Sequence, residues 1–435
     1  MSRSGAVPLV VVIALVLSGP GVARSAHGAP AVPNGSTAES LYVKGDLAGA
    51  EAAYTPVQPA KDDTLIHLRV ASLQLLRNDR AGARATLAPV LARKVVPRSA
   101  LAILAESYAR DLDFGRAAPV EGELGRAAIE KQMESFAGTA PYRYEGPERV
   151  RVPFVQTDPL PLIEVRINGR GPYLFLIDTG GGDLVVDPVL ADSLGSPRFG
   201  EMEGTFGGGR KKPVTMSRIA SLGLGEATFH DLPVSLLDCS RFSGIAGGRR
   251  IWGIVGTIVL MQSRATLDYP GGALILERRA AARKTAAVPA DSNRHVLPMW
   301  LGGDHYVVTR GRLGSGPEAL WFVDTGLAGA GVTVPPSTLE AAGIAVPDTS
   351  TGSTGVGGGG AMKYQMFPVE DFRLGPASSG RLIGIFGAFP PTLEHAFGYR
   401  IAGIISHAFF RSWRVTFDFD AMQLVLEKPQ STAAK

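Results

Sequence analysis

The hydrophobic and polar positions change their period once along the chain. Over residues 36–135 apolar residues recur at the three- and four-residue spacing of amphipathic helices, in a stretch rich in Ala, Leu, Arg and Glu. From about residue 148 the pattern becomes short runs of β-branched and apolar residues broken by Gly and Pro, such as 150–155 and 162–167. The pattern predicts a multidomain chain: an N-terminal α-helical segment followed by a mostly antiparallel all-β region.

The first 26 residues have the layout of a secretory signal peptide. Arg3 precedes an apolar run over residues 6–17, and small residues follow it up to Ala26. Pro8 interrupts the run, which is shorter than the roughly 20 residues needed to cross a bilayer, so cleavage is favoured over an N-terminal anchor helix. We therefore expect a signal peptide over 1–26, a periplasmic or secreted mature protein, and no membrane span after signal cleavage.

A short motif recurs within the helical segment. Gly-Asp-Leu-Ala-Gly-Ala, with its Asp at Asp46, returns as Asn-Asp-Arg-Ala-Gly-Ala at Asp79 and more loosely at Asp113, at spacings of 33 and 34 residues. This period is typical of helix-turn-helix repeats, in which small Ala residues let paired helices approach closely. The segment over 36–135 resembles two or three degenerate tetratricopeptide repeats, which implies a packing or docking module for a protein partner. Because most aromatic signature positions are missing, an ordinary helical bundle with a chance repeat is the alternative.

The β region carries a second duplication. An apolar strand that ends in Asp-Thr-Gly at 178–180 is echoed by one that ends in Asp-Thr-Gly at 324–326, which lies 146 residues later. The segment 253–256 and the two strand-like runs after it are echoed from residue 403, at an offset of 150 residues. Two blocks in the same order at nearly the same offset indicate two copies of one β lobe. The predicted lobes are 148–278 and 295–430, joined by an Ala/Arg-rich linker near 279–294.

Each copy places a carboxylate, Asp178 or Asp324, at the end of a continuously apolar strand. Such a carboxylate lies at the edge of a core and is partly desolvated, so its pKa responds to its surroundings. Two pseudo-symmetric lobes can bring the two carboxylates together, and a close pair holds one proton over a wide pH range. One member can then activate a water as a general base while the other acts as a general acid. The residues predict amide hydrolysis that needs no nucleophilic side chain.

On these motifs, residues 148–430 resemble the retropepsin-like lobes of bacterial aspartyl proteases, arranged in tandem as in the bilobal pepsin-type enzymes. The resemblance implies a bilobal acid-protease fold, an aspartic-type endopeptidase activity on a polypeptide substrate, and Asp178 and Asp324 as the catalytic dyad. It also implies four supporting residues: Thr179 and Thr325, which would hydrogen-bond across the lobe interface, and Gly180 and Gly326, which would let the backbone approach the carboxylates.

The resemblance further implies a hairpin flap over the substrate. The glycine-rich tracts 204–209 and 352–360 are the candidates, with Phe206 and Tyr364 as substrate-facing aromatic residues. Glycine at a hairpin tip allows the opening that admits a polypeptide and the closure that excludes water. A surface loop is the alternative interpretation of both tracts.

The chain departs from the family pattern at three positions. Gly181 and Leu327 follow the two triplets where the family usually has Ser, Thr or Ala, so a hydroxyl beside each carboxylate is missing. Ser406 stands where the repeat has Gly256, and it could crowd the second carboxylate. The alternative function is therefore a catalytically weak or inactive peptide-binding scaffold that retains the fold. A further alternative is that the lobes do not face each other and that the site forms only in a dimer.

Composition narrows the function classes. The net charge of +4 is spread over the whole chain, which argues against nucleic acid as a partner. Cys239 is the only cysteine, so no intrachain disulfide and no Cys-based zinc site can form. The seven histidines show no metal-ligand spacing, and the glycine-rich tracts lack the endings of nucleotide-binding loops. The sequence therefore predicts no metal and no cofactor.

Overall fold

The computed structural model describes residues 16–17, 36–57, 63–206, 209–279, 293–357 and 359–429 of the chain. An N-terminal helical segment is followed by a mostly β region, which confirms the predicted fold class. Apart from Val16–Leu17, a two-residue strand called β1, the predicted signal peptide lies outside the described residues, and so does most of the predicted linker. Within the described ranges, no helix is both long enough and apolar enough to cross a membrane.

The N-terminal segment consists of helix pairs. Its helices are α1 Ser36–Lys44, α2 Leu47–Tyr54, α3 Thr64–Leu76, α4 Arg80–Leu91, α5 Arg98–Arg110, α6 Phe114–Glu123 and α7 Ala127–Glu134.

The repeated motif forms the turns between paired helices. Asp46, Asp79 and Asp113 are the N-caps of α2, α4 and α6, and each carboxylate accepts a backbone N–H three residues later, at 3.2, 2.9 and 3.2 Å. The residue before each cap has a positive φ, which is 61° at Asn78 and 58° at Leu112. The motif is thus a left-handed turn residue followed by a helix cap, which explains its recurrence. Its relation to tetratricopeptide repeats stays a prediction.

The helical segment packs on the β region instead of standing apart from it. Leu47 of α2 is fully buried in the same hydrophobic cluster as Leu320 and Phe322. Asp46 pairs with Arg310 at 2.6 Å. At the other end of the segment, Gln132 of α7 donates to the Ser217 and Val234 carbonyls at 2.6 and 3.0 Å. One face of the helical segment is therefore fixed against both lobes.

Residues 143–278 form the first lobe and part of the sheet that joins it to the second lobe. Its elements are β2 Arg143–Glu145, β3 Arg149–Pro153, β4 Leu162–Ile167, β5 Arg170–Ile177, β6 Leu184–Val186, α8 Pro188–Ser193, β7 Arg198–Phe206, β8 Arg210–Leu224, β9 Ala227–Leu236, β10 Gly253–Val255, α9 Thr257–Leu260, β11 Ser263–Asp268 and β12 Ala273–Arg278.

The second lobe has the corresponding elements. They are β13 Arg294–Gly302, β14 Tyr306–Leu313, β15 Ala319–Val323, β16 Val332–Val334, α10 Pro336–Ala341, β17 Ser353–Gly357, β18 Gly360–Val369, β19 Phe372–Leu374, β20 Ala377–Ser378, β21 Leu382–Phe386, β22 Ile401–Ile405, α11 His407–Phe410, β23 Arg414–Asp418 and β24 Gln423–Glu427.

Strand pairing repeats the duplication seen in the sequence. In the first lobe β10 lies parallel to β5 and antiparallel to β6, and β6 lies parallel to β9. In the second lobe β22 lies in the same way between β15 and β16, and β16 lies parallel to β21. Pairing of β8 with β9 closes the first lobe into a barrel. The antiparallel strands β3-β12-β11-β23-β24-β13 join the two lobes, so each Asp-Thr-Gly triplet leaves an equivalent strand toward a shared centre.

Candidate active site

The two aspartates lie at equivalent strand ends and face each other within one chain. The backbone N–H of Asp178, just after β5, donates to the Val255 carbonyl at 3.1 Å, and that of Asp324, just after β15, donates to Ile405 at 2.9 Å. Asp178 is 1% exposed and Asp324 is 0% exposed. Each carboxyl group shifts the pKa of the other, because the two groups lie close together. A dimer is therefore not needed to bring the two aspartates together.

The threonines of the triplets bind each other's backbone. The Thr179 N–H donates to Oγ1 of Thr325 and the Thr325 N–H donates to Oγ1 of Thr179, both at 3.0 Å. Each hydroxyl in turn donates to the opposite strand, Thr179 to the Val323 carbonyl at 2.9 Å and Thr325 to the Ile177 carbonyl at 3.5 Å. Both threonines are fully buried. This reciprocal set fixes the two aspartate loops relative to each other.

Removing one of these hydroxyls should weaken the joint between the lobes. Thr179→Val keeps the side-chain shape but leaves the buried Thr325 N–H without its acceptor. We expect the free energy of unfolding, measured by urea denaturation, to fall by about 1–3 kcal/mol. Thr179→Ser keeps the hydroxyl and serves as the control. Thr179→Ser loses only the methyl group, so an equal loss in both variants would show that the effect does not report the hydroxyl's hydrogen bonds.

Each glycine of the triplets lies against the carboxyl group of the other lobe. A Cβ at Gly180 would lie 2.4 Å from Cγ of Asp324, and a Cβ at Gly326 would lie 2.2 Å from Cγ of Asp178. The N–H of each glycine donates to Oδ1 of its own aspartate at 2.8 Å. Only glycine leaves room for the two carboxyl groups to approach.

Burial makes this pair hold a proton. Desolvation raises the pKa of Asp178 to about 6, against the opposing effects of its hydrogen bonds with Asp324 and the Gly180 N–H. Desolvation and the neighbouring Asp178 carboxylate raise the pKa of Asp324 well above its ordinary value. Oδ2 of Asp324 receives no hydrogen bond from any described N–H or O–H group, as expected for an oxygen that carries the proton. The arrangement favours an ionised Asp178 beside a protonated Asp324.

The two glycine-rich tracts lie at the tips of hairpins. β7 pairs with β8 and β17 pairs with β18, so the described parts of both tracts are mainly paired strands. A Cβ at Gly359 would lie 2.4 Å from Cβ of Arg210 and 3.2 Å from Cβ of Phe206, so the two hairpin tips touch. Phe206 is 2% exposed and Tyr364 is 8% exposed. Both lie on the hairpin strands, and their role as substrate-facing flap residues stays a prediction.

The crowding considered for Ser406 does not occur. Its hydroxyl donates to the Leu327 carbonyl at 2.8 Å and accepts the Leu327 N–H at 3.1 Å, so it fixes the loop after Asp324. In the first lobe the loop lies closer, because a Cβ at Gly256 would be 2.3 Å from the Asp183 carbonyl oxygen. The loop after Asp178 leaves room only for glycine at position 256. The loop after Asp324 leaves room for the Ser406 side chain, which hydrogen-bonds to Leu327.

Sequence reasoning missed one ionisable neighbour of the dyad. His305, given no role among the seven histidines, is 1% exposed and lies against the loop that follows Asp178. A Cβ at Gly182 would lie 3.0 Å from its Nδ1. The sequence signal for this contact is Gly182, the third consecutive glycine after Thr179. A glycine indicates a close approach but does not identify the residue that approaches.

Comparison with known proteins agrees with this geometry for part of the chain. Residues 163–258 match a family model described as aspartyl protease, a range that includes Asp178 and Gly256. No curated protein matches the chain. Among solved structures, an aspartic proteinase from Irpex lacteus is 15% identical over 66% of this chain and 99% of that chain, with a TM-score of 0.36. The family match supports an aspartyl protease fold and a protease-like function for residues 163–258 of the first lobe.

Proposed function

We propose that the protein is an aspartic endopeptidase that hydrolyses peptide bonds with a water activated by Asp178 and Asp324. One observation carries the proposal. Two buried carboxyl groups lie at equivalent strand ends, each against the glycine of the other lobe's triplet, inside a loop pair fixed by reciprocal threonine hydrogen bonds. A purely structural cleft has no need of two desolvated carboxyl groups, because burying them costs free energy.

The reaction uses the single proton of the pair. Ionised Asp178 takes a proton from water as the water oxygen bonds to the peptide carbonyl carbon, and Asp324 gives its proton to the carbonyl oxygen. Asp178 then passes its proton to the departing nitrogen as the C–N bond breaks, and one hydroxyl of the tetrahedral intermediate returns a proton to Asp324. The pair ends with one proton, as it began.

Substrate and setting follow from the same proposal. A polypeptide would lie extended between the two hairpins, where strand edges can pair with its backbone, and Phe206 and Tyr364 would contact its side chains. The exposed faces of the helical segment would receive a protein partner. We also propose a periplasmic or secreted location, from the signal-like N-terminus.

Cleavage of a diverse peptide mixture by the purified protein from pH 3 to 8 tests the proposal. Because the pKa of Asp178 is about 6, the general base is lost as the pH falls through that value, and activity falls with it. Because the pKa of Asp324 is raised well above its ordinary value, the general acid is lost only at higher pH. We expect a bell-shaped dependence of kcat/KM with its maximum near neutral pH.

Two results would count against this assignment. A maximum at pH 3 to 4 would contradict the raised pKa of Asp178. Absence of cleavage at every pH, with the protein folded, would favour the peptide-binding scaffold.

A further inference from the structure

We propose that His305, held by Asp304 and by Arg110 of the helical segment, is a positioning residue that orients the Asp178 loop and makes Asp178 the base of the pair. This inference rests on the proposed function and adds to it an assignment of roles within the dyad. It also gives the helical segment an effect on the reaction.

The ring of His305 contacts structure leading to both aspartates. Its Nδ1 lies 3.0 Å from where a Cβ of Gly182 would be, in the loop four residues after Asp178. On its other side the ring makes an edge contact with Phe322, two residues before Asp324, at a centroid distance of 6.5 Å. Any side chain at 182 would press against the imidazole. The histidine and the glycine therefore fit each other.

Asp304 fixes the ring of His305. Oδ1 of Asp304 is hydrogen-bonded to Nδ1 of His305 at 2.5 Å. The His305 side chain is 1% exposed, so the ring is enclosed. Nε2 of His305 has no hydrogen-bond partner among the described residues. The interaction with Asp304 is thus the one described hydrogen bond that sets the orientation of the ring.

Arg110 holds the turn that carries this pair. Its guanidinium, 3% exposed, donates to the Leu301 carbonyl at 2.9 Å and to the Gly303 carbonyl, at the end of β13 and in the turn before Asp304. It is anchored on its own side by Glu106 of α5 and by the Leu75 carbonyl of α3. Nη2 donates to both carbonyl groups of the turn and Nη1 donates to Leu75, so the guanidinium ties the turn to α3. The placement of His305 therefore depends on the helical segment.

The surrounding charges act unequally on the two aspartates. Burial raises the pKa of Asp178, and a positive charge on His305 lowers it. The pKa of Asp324 is raised by burial and by Asp178 and lowered by the Gly326 N–H, and His305 is not among these causes. Burial raises the pKa of Asp183 to about 6, and His305 lowers it too. Among the described residues, the other ionisable groups that interact with Asp304 are Glu106, Arg110, Glu121, Tyr142 and Tyr306. A positive charge that favours the ionised form of Asp178 but not that of Asp324 makes Asp178 the base of the pair.

His305→Gln tests the charge while keeping a side chain of similar size. We expect the acidic limb of the kcat/KM profile to move to higher pH by about one unit, because Asp178 loses a neighbouring positive charge. Asp304→Asn should move it in the same direction, since the ring then loses its anionic partner. His295→Gln, which changes a histidine packed on Trp413, is the matched control and should leave the limb in place. A purely structural role would lower the rate without moving the limb.

Arg110→Lys tests the link to the helical segment. Lysine keeps the charge but has one nitrogen in place of the two that donate here, so it cannot hold the Leu75 carbonyl and the turn carbonyls together, and the limb should move in the same direction as in His305→Gln. Combined with His305→Gln it should add little further shift, because both changes act through the same ring. Additive shifts, or an Arg110→Lys protein that is folded and has the wild-type profile, would overturn the link.

The carboxyl titration of Asp178, followed by carbon NMR and assigned with Asp178→Asn, gives a readout that needs no turnover. If the wild-type protein does not cleave peptides but His305→Gln raises the titration midpoint of Asp178, the proposed function fails and the inference about ionisation stands. If the protein cleaves peptides and neither the limb nor the midpoint moves in His305→Gln and Asp304→Asn, the inference is wrong and the proposed function stands.

Discussion

Replacing either Asp178 or Asp324 with Asn is expected to lower kcat/KM for peptide cleavage by about 10³-fold or more. Asn has nearly the same shape as Asp, but it can neither take a proton from water nor donate one to the carbonyl oxygen. Because one proton is shared by both carboxyl groups, either change removes the acid-base pair as a unit. Products would be followed by mass spectrometry on the same peptide mixture for both variants and the wild type.

The pH dependence of stability serves as the control for correct folding. The folded protein holds the Asp178 proton up to a pKa of about 6, whereas the unfolded chain releases it near the ordinary value of 3.8. The free energy of unfolding of the wild type therefore falls as the pH rises from about 4 to about 6, and Asp178→Asn lacks this loss. We expect the variant to be more stable than the wild type by about 1–3 kcal/mol at pH 7, with the difference vanishing below about pH 3.8. A destabilised variant at pH 7 would mean that its inactivity reports unfolding.

The second large effect is expected at Gly180. Gly180→Ala would place a Cβ 2.4 Å from Cγ of Asp324, and the carboxyl group is the flexible partner that must move. A displacement of about 1 Å at a reacting group costs roughly 10²-fold in rate, so we expect kcat/KM to fall by about that factor or more.

The adjacent residue provides the matched control. A Cβ at Gly181 would meet only the Asp178 carbonyl oxygen, at 3.6 Å, an ordinary contact distance. Gly181→Ala should therefore keep kcat/KM within a few-fold of the wild type, although it stands beside Gly180. Similar losses in both variants would show that chain flexibility, and not the space beside Asp324, governs this loop.

The duplicated positions could be predicted from the sequence because they report local requirements. A buried strand that ends in Asp-Thr-Gly marks where a carboxyl group leaves the core, and its repetition 146 residues later marks the second lobe. The Asp residues of the helical motif likewise report a local need, since each caps the helix that follows it. Patterns within a few residues carry this information without knowledge of the partner.

Contacts between distant segments could not be predicted in this way. Gly182 makes room for His305, and Arg110 donates to the Gly303 carbonyl. The sequence around Gly182 and Arg110 does not indicate which distant residue each one contacts. Ser406 illustrates the same limit, because its effect depends on how far the Leu327 loop lies from β22. Such distances are set by how the lobes and the helical segment pack, which no local pattern records.

We propose that Asp178 and Asp324 of one chain form a single acid-base site. Its most direct test is peptide cleavage by the wild type, by each of the two Asn variants, and by an equimolar mixture of the variants, all at the wild-type pH optimum. We expect cleavage by the wild type alone, because no chain in the mixture contains both aspartates. Recovery of activity in the mixture would place the site between two chains, and cleavage by either single variant would contradict the paired mechanism.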